Sequence, residues 1–415
     1  MVLNRIWISF FLIAFVIALV KFALFLCGMP EFGGETIFPI IVNSTFTMSK
    51  TAFEIALGLT GTFTLWMGLM KIGEKAGAID FLSKMIGPFF RKLYPGIPKD
   101  HPAMGKVMLN YSANMLGLGN AATPMGIKAM ESMQELNPDK EKASDSQIMF
   151  LTMNTACFTL VPVSIMAIRM QQGAQDATDV FVPILITTYC ATLLGIIAVA
   201  VRQRILNTGL ITWLVGISSV VALIIFGFAS LGIEEKQKAS TIAGNIILFG
   251  IIISFIGAGA LKKINVFDAF IEGAKEGFNT VLKILPYLLA MLVAIGVFRA
   301  SGAMEYLTDG LRWCFHTIGV NADFVDSLPV AMMKPLSGGG TQGLTIDAIK
   351  TFGVDSFTGR LSSIMYASAD TTFYIVALYF GSVGIKNTRY AIQYGLLADL
   401  AGILAAIFVA YLFFH

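Results

Sequence analysis

Long apolar runs recur along the chain, each close to the length of about 20 residues that an α-helix needs to cross a bilayer. We identify nine candidate spans, near residues 7–27, 52–72, 147–168, 180–202, 208–228, 241–261, 284–299, 361–381 and 390–412. Two other segments, 81–95 and 264–283, are amphipathic, which favours helices that lie in the membrane interface. The pattern predicts an all-α polytopic membrane protein with about nine spanning helices.

Two shorter segments, 104–134 and 325–350, concentrate glycine, proline and neutral polar residues within otherwise apolar sequence. Glycine and proline break helices, and non-helical backbone at membrane depth is tolerated where it lines a cavity or is buried in protein. We expect both segments to form re-entrant helical hairpins. Paired interruptions in the two halves of a chain are a pointer to the binding site of a transporter.

An internal repeat relates the two halves of the chain. A shift of 225 residues aligns Lys50 with Lys275 and Gly77-Ala78 with Gly302-Ala303. The sequence therefore predicts one repeat over 1–204 and a second over 236–415. A linker transmembrane helix within 205–235 would join them.

The distribution of lysine and arginine predicts how the repeats are oriented. If the N-terminus is cytoplasmic, most basic loop residues fall inside, namely Lys71, Lys75, Lys84, Arg91, Lys92, Lys99, Lys106, Lys140, Lys142, Arg202 and Arg204. Four spans per repeat and one linker helix then leave the C-terminus outside. We expect repeats of inverted topology in the bacterial cytoplasmic (inner) membrane.

Composition excludes several classes of protein. Hydrophobic residues make up 56% of the 415 residues and charged residues 13%, and the mean hydropathy is +0.75, so a soluble protein is excluded. The net charge of +3 gives no reason to expect nucleic acid as a partner. Four separated cysteines and three isolated histidines support neither a disulfide framework nor a metal site. We expect no cofactor and, without a nucleophile-base arrangement, no enzymatic activity.

The hairpin segments offer polar side chains for a substrate, and half-helix N-termini beside them would favour an anionic group. The candidate substrate-binding residues there are Asn114, Asn120, Thr123, Ser337, Thr341 and Gln342. The alternative is that the glycines only let the two hairpins pack closely. Lys128 and Lys334 border the hairpins. We expect their side chains to extend toward the membrane interface, and the alternative is that they bind substrate.

Asp370 lies near the centre of the apolar span 361–381, where an ionisable group is costly and commonly marks an ion or substrate site. We expect it to bind a coupling proton or cation, or the substrate, with Thr371 and Thr372 beside it. The alternative is a carboxylate that caps a broken helix. Asp399 is a second acid in an apolar span and a candidate to share the coupling proton.

Asn154 and Thr155 occupy the corresponding place in the span 147–168. They are equally suited to a substrate site and to hydrogen bonds between helices. Tyr287, Phe373 and Tyr374 are candidates to stack on a ring-shaped substrate.

Specific motifs resemble known families. The runs G-L-G-N-A-A-T-P-M-G-I-K-A-M (117–130) and N-T-A-C-F-T-L-V-P-V-S-I-M-A-I-R (154–169) resemble the spore maturation protein A family. The runs F-I-E-G-A-K-E-G-F (270–278), K-P-L-S-G-G-G-T-Q-G (334–343) and S-A-D-T-T-F-Y-I-V-A-L-Y-F-G (368–381) resemble the spore maturation protein B family. The chain thus looks like a fusion of the two families.

Both halves also resemble the gate, or nucleoside recognition, domain that occurs in nucleoside and ferrous-iron transporters. This resemblance implies membrane transport. Since iron would favour soft or histidine ligands, we expect a secondary transporter of a small polar organic solute: a nucleoside, an amino acid or a small carboxylate. The two repeats would alternate access to the site.

The alternative is a non-transporting membrane scaffold that regulates the cell envelope or spore maturation. The expected partners are the lipid bilayer, a small-molecule substrate and a coupling proton or cation. One chain contains both repeats, so a homo-oligomer is allowed but is not required to build the site.

Overall fold

A computed structural model describes residues 2–29, 34–98, 100–317 and 319–415, apart from the side chains of residues 2, 3, 119 and 120. The described residues form helices and no strand. The α-helices are α1 (Val2–Leu26), α2 (Ile37–Lys75), α3 (Ala78–Leu93), α4 (Pro102–Met115), α5 (Gly119–Leu136), α6 (Asp145–Ala156), α7 (Val163–Gln171), α8 (Phe181–Gln203), α9 (Thr208–Ala229), α10 (Ile233–Leu261), α11 (Val266–Ala300), α12 (Ala303–Thr317), α13 (Leu328–Met333), α14 (Gly338–Phe352), α15 (Phe357–Ala367), α16 (Thr372–Ser382) and α17 (Ala391–Phe414).

The membrane-spanning pattern is confirmed. Seven described helices are long and apolar enough to cross a bilayer, namely α1, α2, α8, α9, α10, α11 and α17. The other two predicted spans, 147–168 and 361–381, are each built from two short helices, α6 with α7 and α15 with α16. Their breaks, at 157–162 and 368–371, leave backbone groups that need partners outside their own helix.

Two local expectations were wrong. Residues 264–283 do not form a separate interfacial helix, because they continue without a break into α11, which has 35 residues and packs along α2. The tip of the first hairpin lies at 116–118, and Pro124 lies inside α5 rather than in the interruption. Pro124 is the sixth residue of α5, so it removes one hydrogen bond from within the helix, the bond that an N–H at this position would make to the carbonyl four residues earlier.

The two repeats have inverted topology. Helices α2 and α11 occupy corresponding positions in the repeats, and they run antiparallel. A Cβ atom at Gly277 would lie 2.6 Å from the carbonyl oxygen of Phe63, whereas one at Gly296 would lie 2.4 Å from Cγ of Met48. Helices α8 and α17 are antiparallel in the same way. Equivalent helices that cross in opposite directions are related by a twofold axis in the membrane plane.

Ion pairs connect the repeats at both ends of the helix bundle, but their burial differs. At one end, the fully buried Arg169 of the first repeat donates to Asp179 (2.8 Å) and to Asp355 of the second repeat (3.0 Å). Arg360 also donates to Asp179, at 2.7 Å. At the other end, Arg389 pairs with Asp145 at 2.7 Å, where the aspartate side chain is 56% exposed. The first cluster is therefore the more protected contact.

We expect Arg169→Met to destabilise the fold strongly, because it leaves the partly buried Asp355 without its cation and the buried Asp179 with Arg360 as its one described cation. Removing one partner of a buried ion pair costs about 3–5 kcal/mol. The matched control is Arg389→Met, which removes a solvent-exposed pair between the same two repeats and should cost at most about 1 kcal/mol. Unfolding of the purified variants in detergent measures both, and equal losses would contradict this difference.

Candidate functional site

The four interruptions of the two repeats meet at one place and hydrogen-bond to one another. The N–H of Leu160, in the first broken span, donates to the carbonyl of Met115 at the first hairpin tip (2.8 Å). In the second repeat, the N–H of Phe373 donates to the carbonyl of Pro335 at the second hairpin tip (3.1 Å). A third bond joins the repeats directly, from the N–H of Asp370 to the carbonyl of Thr155 (2.6 Å).

Gly117 lets the first hairpin tip approach the first broken span. Its φ of +73° lies in the left-handed region, and a Cβ atom there would lie 2.7 Å from the carbonyl oxygen of Val161. A side chain at this position would therefore be strained and would also push the two segments apart.

A cavity of about 270 Å³ lies between these interruptions. The first repeat contributes Asn114, Gly117, Cys157, Thr159 and residues 161–165, and the second contributes Lys334, Gly338, Gln342, Tyr366, Ala367, Ala369, Asp370 and Thr371. The structure thus brings together Asn114, Gln342, Asp370 and Thr371 of the predicted site residues. Both repeats and all four interruptions contribute to the wall.

Lys334 is the main departure from expectation. It does not extend to an interface, because its side chain is buried (5% exposed) and lines the cavity. Its ammonium group donates to the carbonyl of Tyr366 and lies 5.1 Å from the centre of that ring. The signal in the sequence was its position directly before Pro335, at the tip of the second hairpin.

Asp370 supplies a negative charge to the same cavity. It is exposed within the described structure, and its carboxylate accepts only a 3.3 Å hydrogen bond from the N–H of Thr371. Neither Asp370 nor Lys334 forms an ion pair with a described residue. The cavity therefore holds one cation and one anion that remain available to a ligand.

An amide and hydroxyl network supports the first hairpin. Asn114 donates to Oδ1 of Asn154 (2.8 Å), which also accepts from the hydroxyl of Tyr379 (3.4 Å). Asn110 donates to that hydroxyl and to the carbonyl of Ala122. Asn154 thus orients a cavity residue rather than lining the cavity. Sequence reasoning missed Asn110 and Tyr379, since a single asparagine or tyrosine in a helix carries no periodic signal.

Asp399 lies behind the cavity in a separate polar cluster. It is 1% exposed and accepts a 2.6 Å hydrogen bond from the hydroxyl of Thr372, while its other oxygen, Oδ1, has no described partner. The hydroxyl of Thr155 is also buried without a described partner, and both threonines contact the position of Gly395, one turn before Asp399. A carboxylate in this position is unusually costly to keep charged.

Several predicted site residues lie away from the cavity wall. Ser337 caps α14 by accepting from the N–H of Gly340 (3.1 Å), and the hydroxyl of Thr341 donates to the carbonyl of Ser337 (2.7 Å). Thr123 lies within α5, outside the cavity wall, and Lys128 is exposed. The side chain of Asn120 lies outside the described residues.

The candidate stacking residues do not reach the cavity either. Tyr287 and Tyr374 are 67% and 57% exposed, and neither they nor Phe373 contributes to the wall. Tyr366 is the one ring there, and it already faces Lys334. No group of three His, Cys, Asp or Glu side chains suited to a metal ion occurs in the part of the chain that the structure describes.

Comparisons with known proteins match both repeats. The Gate family model, described as nucleoside recognition, matches residues 56–172 and again 281–386. Spore maturation protein B of Bacillus subtilis (strain 168) is 46% identical over 169 residues, which are 41% of this chain and 91% of that protein. Spore maturation protein A of the same organism is 42% identical over 185 residues, which are 45% of this chain and 87% of that protein.

The two Gate matches contain every residue that lines the central cavity, whereas Asp399 lies outside them. Together the matches cover more than half of the chain. The chain is therefore a multi-pass membrane protein that belongs to the Gate (nucleoside recognition) family.

Proposed function

We propose that the protein is a secondary transporter of a small polar organic solute, which binds in the central cavity and crosses as the two inverted repeats alternate access. The observation that carries this proposal is the convergence of four helix interruptions, two from each repeat, on one polar cavity. Interrupted helices at the interface of inverted repeats are the usual substrate site of such transporters.

The membrane placement follows from the loop charges. We infer the bacterial cytoplasmic membrane, with the N-terminus inside and the C-terminus outside. Seven continuous and two discontinuous spans make nine crossings, an odd number, which puts the termini on opposite sides. From the internal repeat and the similarity to the two relatives, we infer that 1–204 is the spore maturation protein A-like repeat and 236–415 the B-like repeat, with α9 as the linker span.

We assign the coupling proton to Asp399. Its buried carboxyl has one hydroxyl donor, from α16, and one oxygen free of described partners. The hydroxyl of Thr155, on α6, would lie 3.6 Å from a Cβ at Gly395, one turn before Asp399, and Lys334 and Asp370 are the neighbouring charged groups. Helix α6 ends at the break of the first discontinuous span, and α16 begins at the break of the second. Protonation of Asp399 would therefore change how these two breaks pack against each other.

The relatives' names make spore maturation the competing role, in which the protein would be a scaffold without transport. A scaffold does not require an open polar cavity at membrane depth. Solute transport by the purified protein distinguishes the two roles.

Filling the cavity should stop transport. Ser164 lines the wall of the cavity, so Ser164→Phe should lower solute counterflow into proteoliposomes at least tenfold. The control is Ser219→Phe, the same change on the exposed surface of α9, which should leave counterflow unchanged. Counterflow is measured with labelled amino acids, nucleosides and carboxylates. Unchanged counterflow in Ser164→Phe would overturn the central cavity as the substrate site. No counterflow of any solute by the wild type would overturn the transport proposal.

Removing the proton site should separate transport from the proton gradient. We expect Asp399→Asn to keep counterflow, which needs no net proton movement, while uptake driven by a pH gradient falls to the level without a gradient. Asn preserves the acceptor for Thr372. Gradient-driven uptake at the wild-type level in this variant would exclude Asp399 as the coupling site.

Topology is tested with fusions on either side of α9. Alkaline phosphatase, which is active only outside the cytoplasm, should be inactive when fused after Arg204 and active when fused after Glu235. Green fluorescent protein at the same two positions should give the opposite pattern. Equal activity at both positions would contradict a membrane crossing by α9, and a reversed pattern would invert the proposed orientation.

A further inference from the structure

We propose that the solute is a zwitterion of the α-amino acid class, whose carboxylate binds Lys334 and whose ammonium group binds Asp370. This inference rests on the proposed transport function and narrows its substrate. It follows from the two opposite charges in the cavity, their lack of ion-pair partners and the limited size of the space between them.

Lys334 is suited to a carboxylate. Its buried ammonium group has three N–H donors but donates to one described acceptor, the carbonyl of Tyr366. A buried cation is costly unless it is paired. The N-terminus of α14 lies beside it, because Gly338 at the start of that helix also lines the cavity. Ser337 already accepts from the N–H groups of Gly340 and Thr341, so the N–H groups of Gly338 and Gly339 are those left to attract an anion.

Gln342 is a further polar side chain of the cavity that can bind a ligand. Its side chain is 6% exposed, lines the cavity and has no described hydrogen-bond partner. Buried amides are rarely left without partners. One turn after Gly338 on α14, it is placed to hydrogen-bond a polar group of the same ligand.

Asp370 is suited to an ammonium group. The N–H of Thr371 is its single described donor, at 3.3 Å, which leaves most of its acceptor capacity free. A dicarboxylate would place a second negative charge near Asp370, and a monocarboxylate would leave Asp370 without a cation. A zwitterion satisfies both side chains and carries no net charge into the membrane.

The cavity fits an amino acid better than a nucleoside. An uncharged nucleoside in this cavity of about 270 Å³ would leave both charged side chains without a partner. A nucleobase would also need a ring to stack on, and the ring of Tyr366 already contacts Lys334.

Three solutes test the two charged groups one at a time. Alanine carries both groups, lactate lacks the ammonium group, and alaninamide lacks the carboxylate.

The test is competition against counterflow of labelled alanine in proteoliposomes. On the wild type, lactate and alaninamide should each compete at least tenfold more weakly than alanine, since each loses one charge-assisted hydrogen bond. Lys334→Met should abolish the difference between alanine and alaninamide. Asp370→Asn should abolish the difference between alanine and lactate. The control Lys128→Met, at an exposed lysine beside the first hairpin, should keep both differences.

The wild-type comparison decides the matter even if a charge-removing variant does not fold. Equal competition by the three solutes, or counterflow of uridine or succinate but not of alanine, would overturn the zwitterion assignment and leave the transport proposal standing. Absence of counterflow with every solute would instead overturn the transport proposal, and the substrate assignment with it.

Discussion

The structure depends on how the backbone groups at its four helix interruptions are satisfied. No water in the bilayer core can hydrogen-bond an exposed N–H or C=O, so each broken helix needs partners within the protein. Here the breaks supply them to one another: Leu160 to Met115, Phe373 to Pro335 and Asp370 to Thr155. The interruptions are therefore stable only together. This mutual dependence gathers the two hairpins and the two broken spans around one cavity.

Inversion of the repeats produces this convergence. Because α2 and α11 cross antiparallel, the two hairpins run in opposite directions, and both of their tips line the central cavity. The repeats are also connected by ion pairs at both ends of the bundle. At one end these form the buried cluster around Arg169, and at the other end the exposed pair of Arg389 and Asp145. The two ends of the bundle are therefore held by ion pairs of unequal burial.

Few charged residues are buried among the described residues, and the buried ones differ in how their charge is compensated. Arg169 is compensated by two aspartates, whereas Lys334 has only a carbonyl and a ring. Since a buried cation without an ion-pair partner lowers the stability of the folded state, this difference is the basis on which we propose a structural role for Arg169 and a ligand-binding role for Lys334. Asp399 stands between these cases, with one oxygen bonded and the other free of described partners.

The sequence by itself determined the class of fold, the spans, the repeat and the interrupted segments, because bilayer thickness and helix breaking act over short stretches of chain. It also identified Asp370, since one acid in an apolar run is visible without tertiary contacts. Tertiary structure decided which polar residues share the cavity. Lys334 was expected at an interface and turned inward, because its surroundings are set by Tyr366, 32 residues away. Asn110 and Tyr379 meet across 269 residues. Such contacts depend on how the helices of the two repeats cross, and the local sequence around each residue does not predict that arrangement.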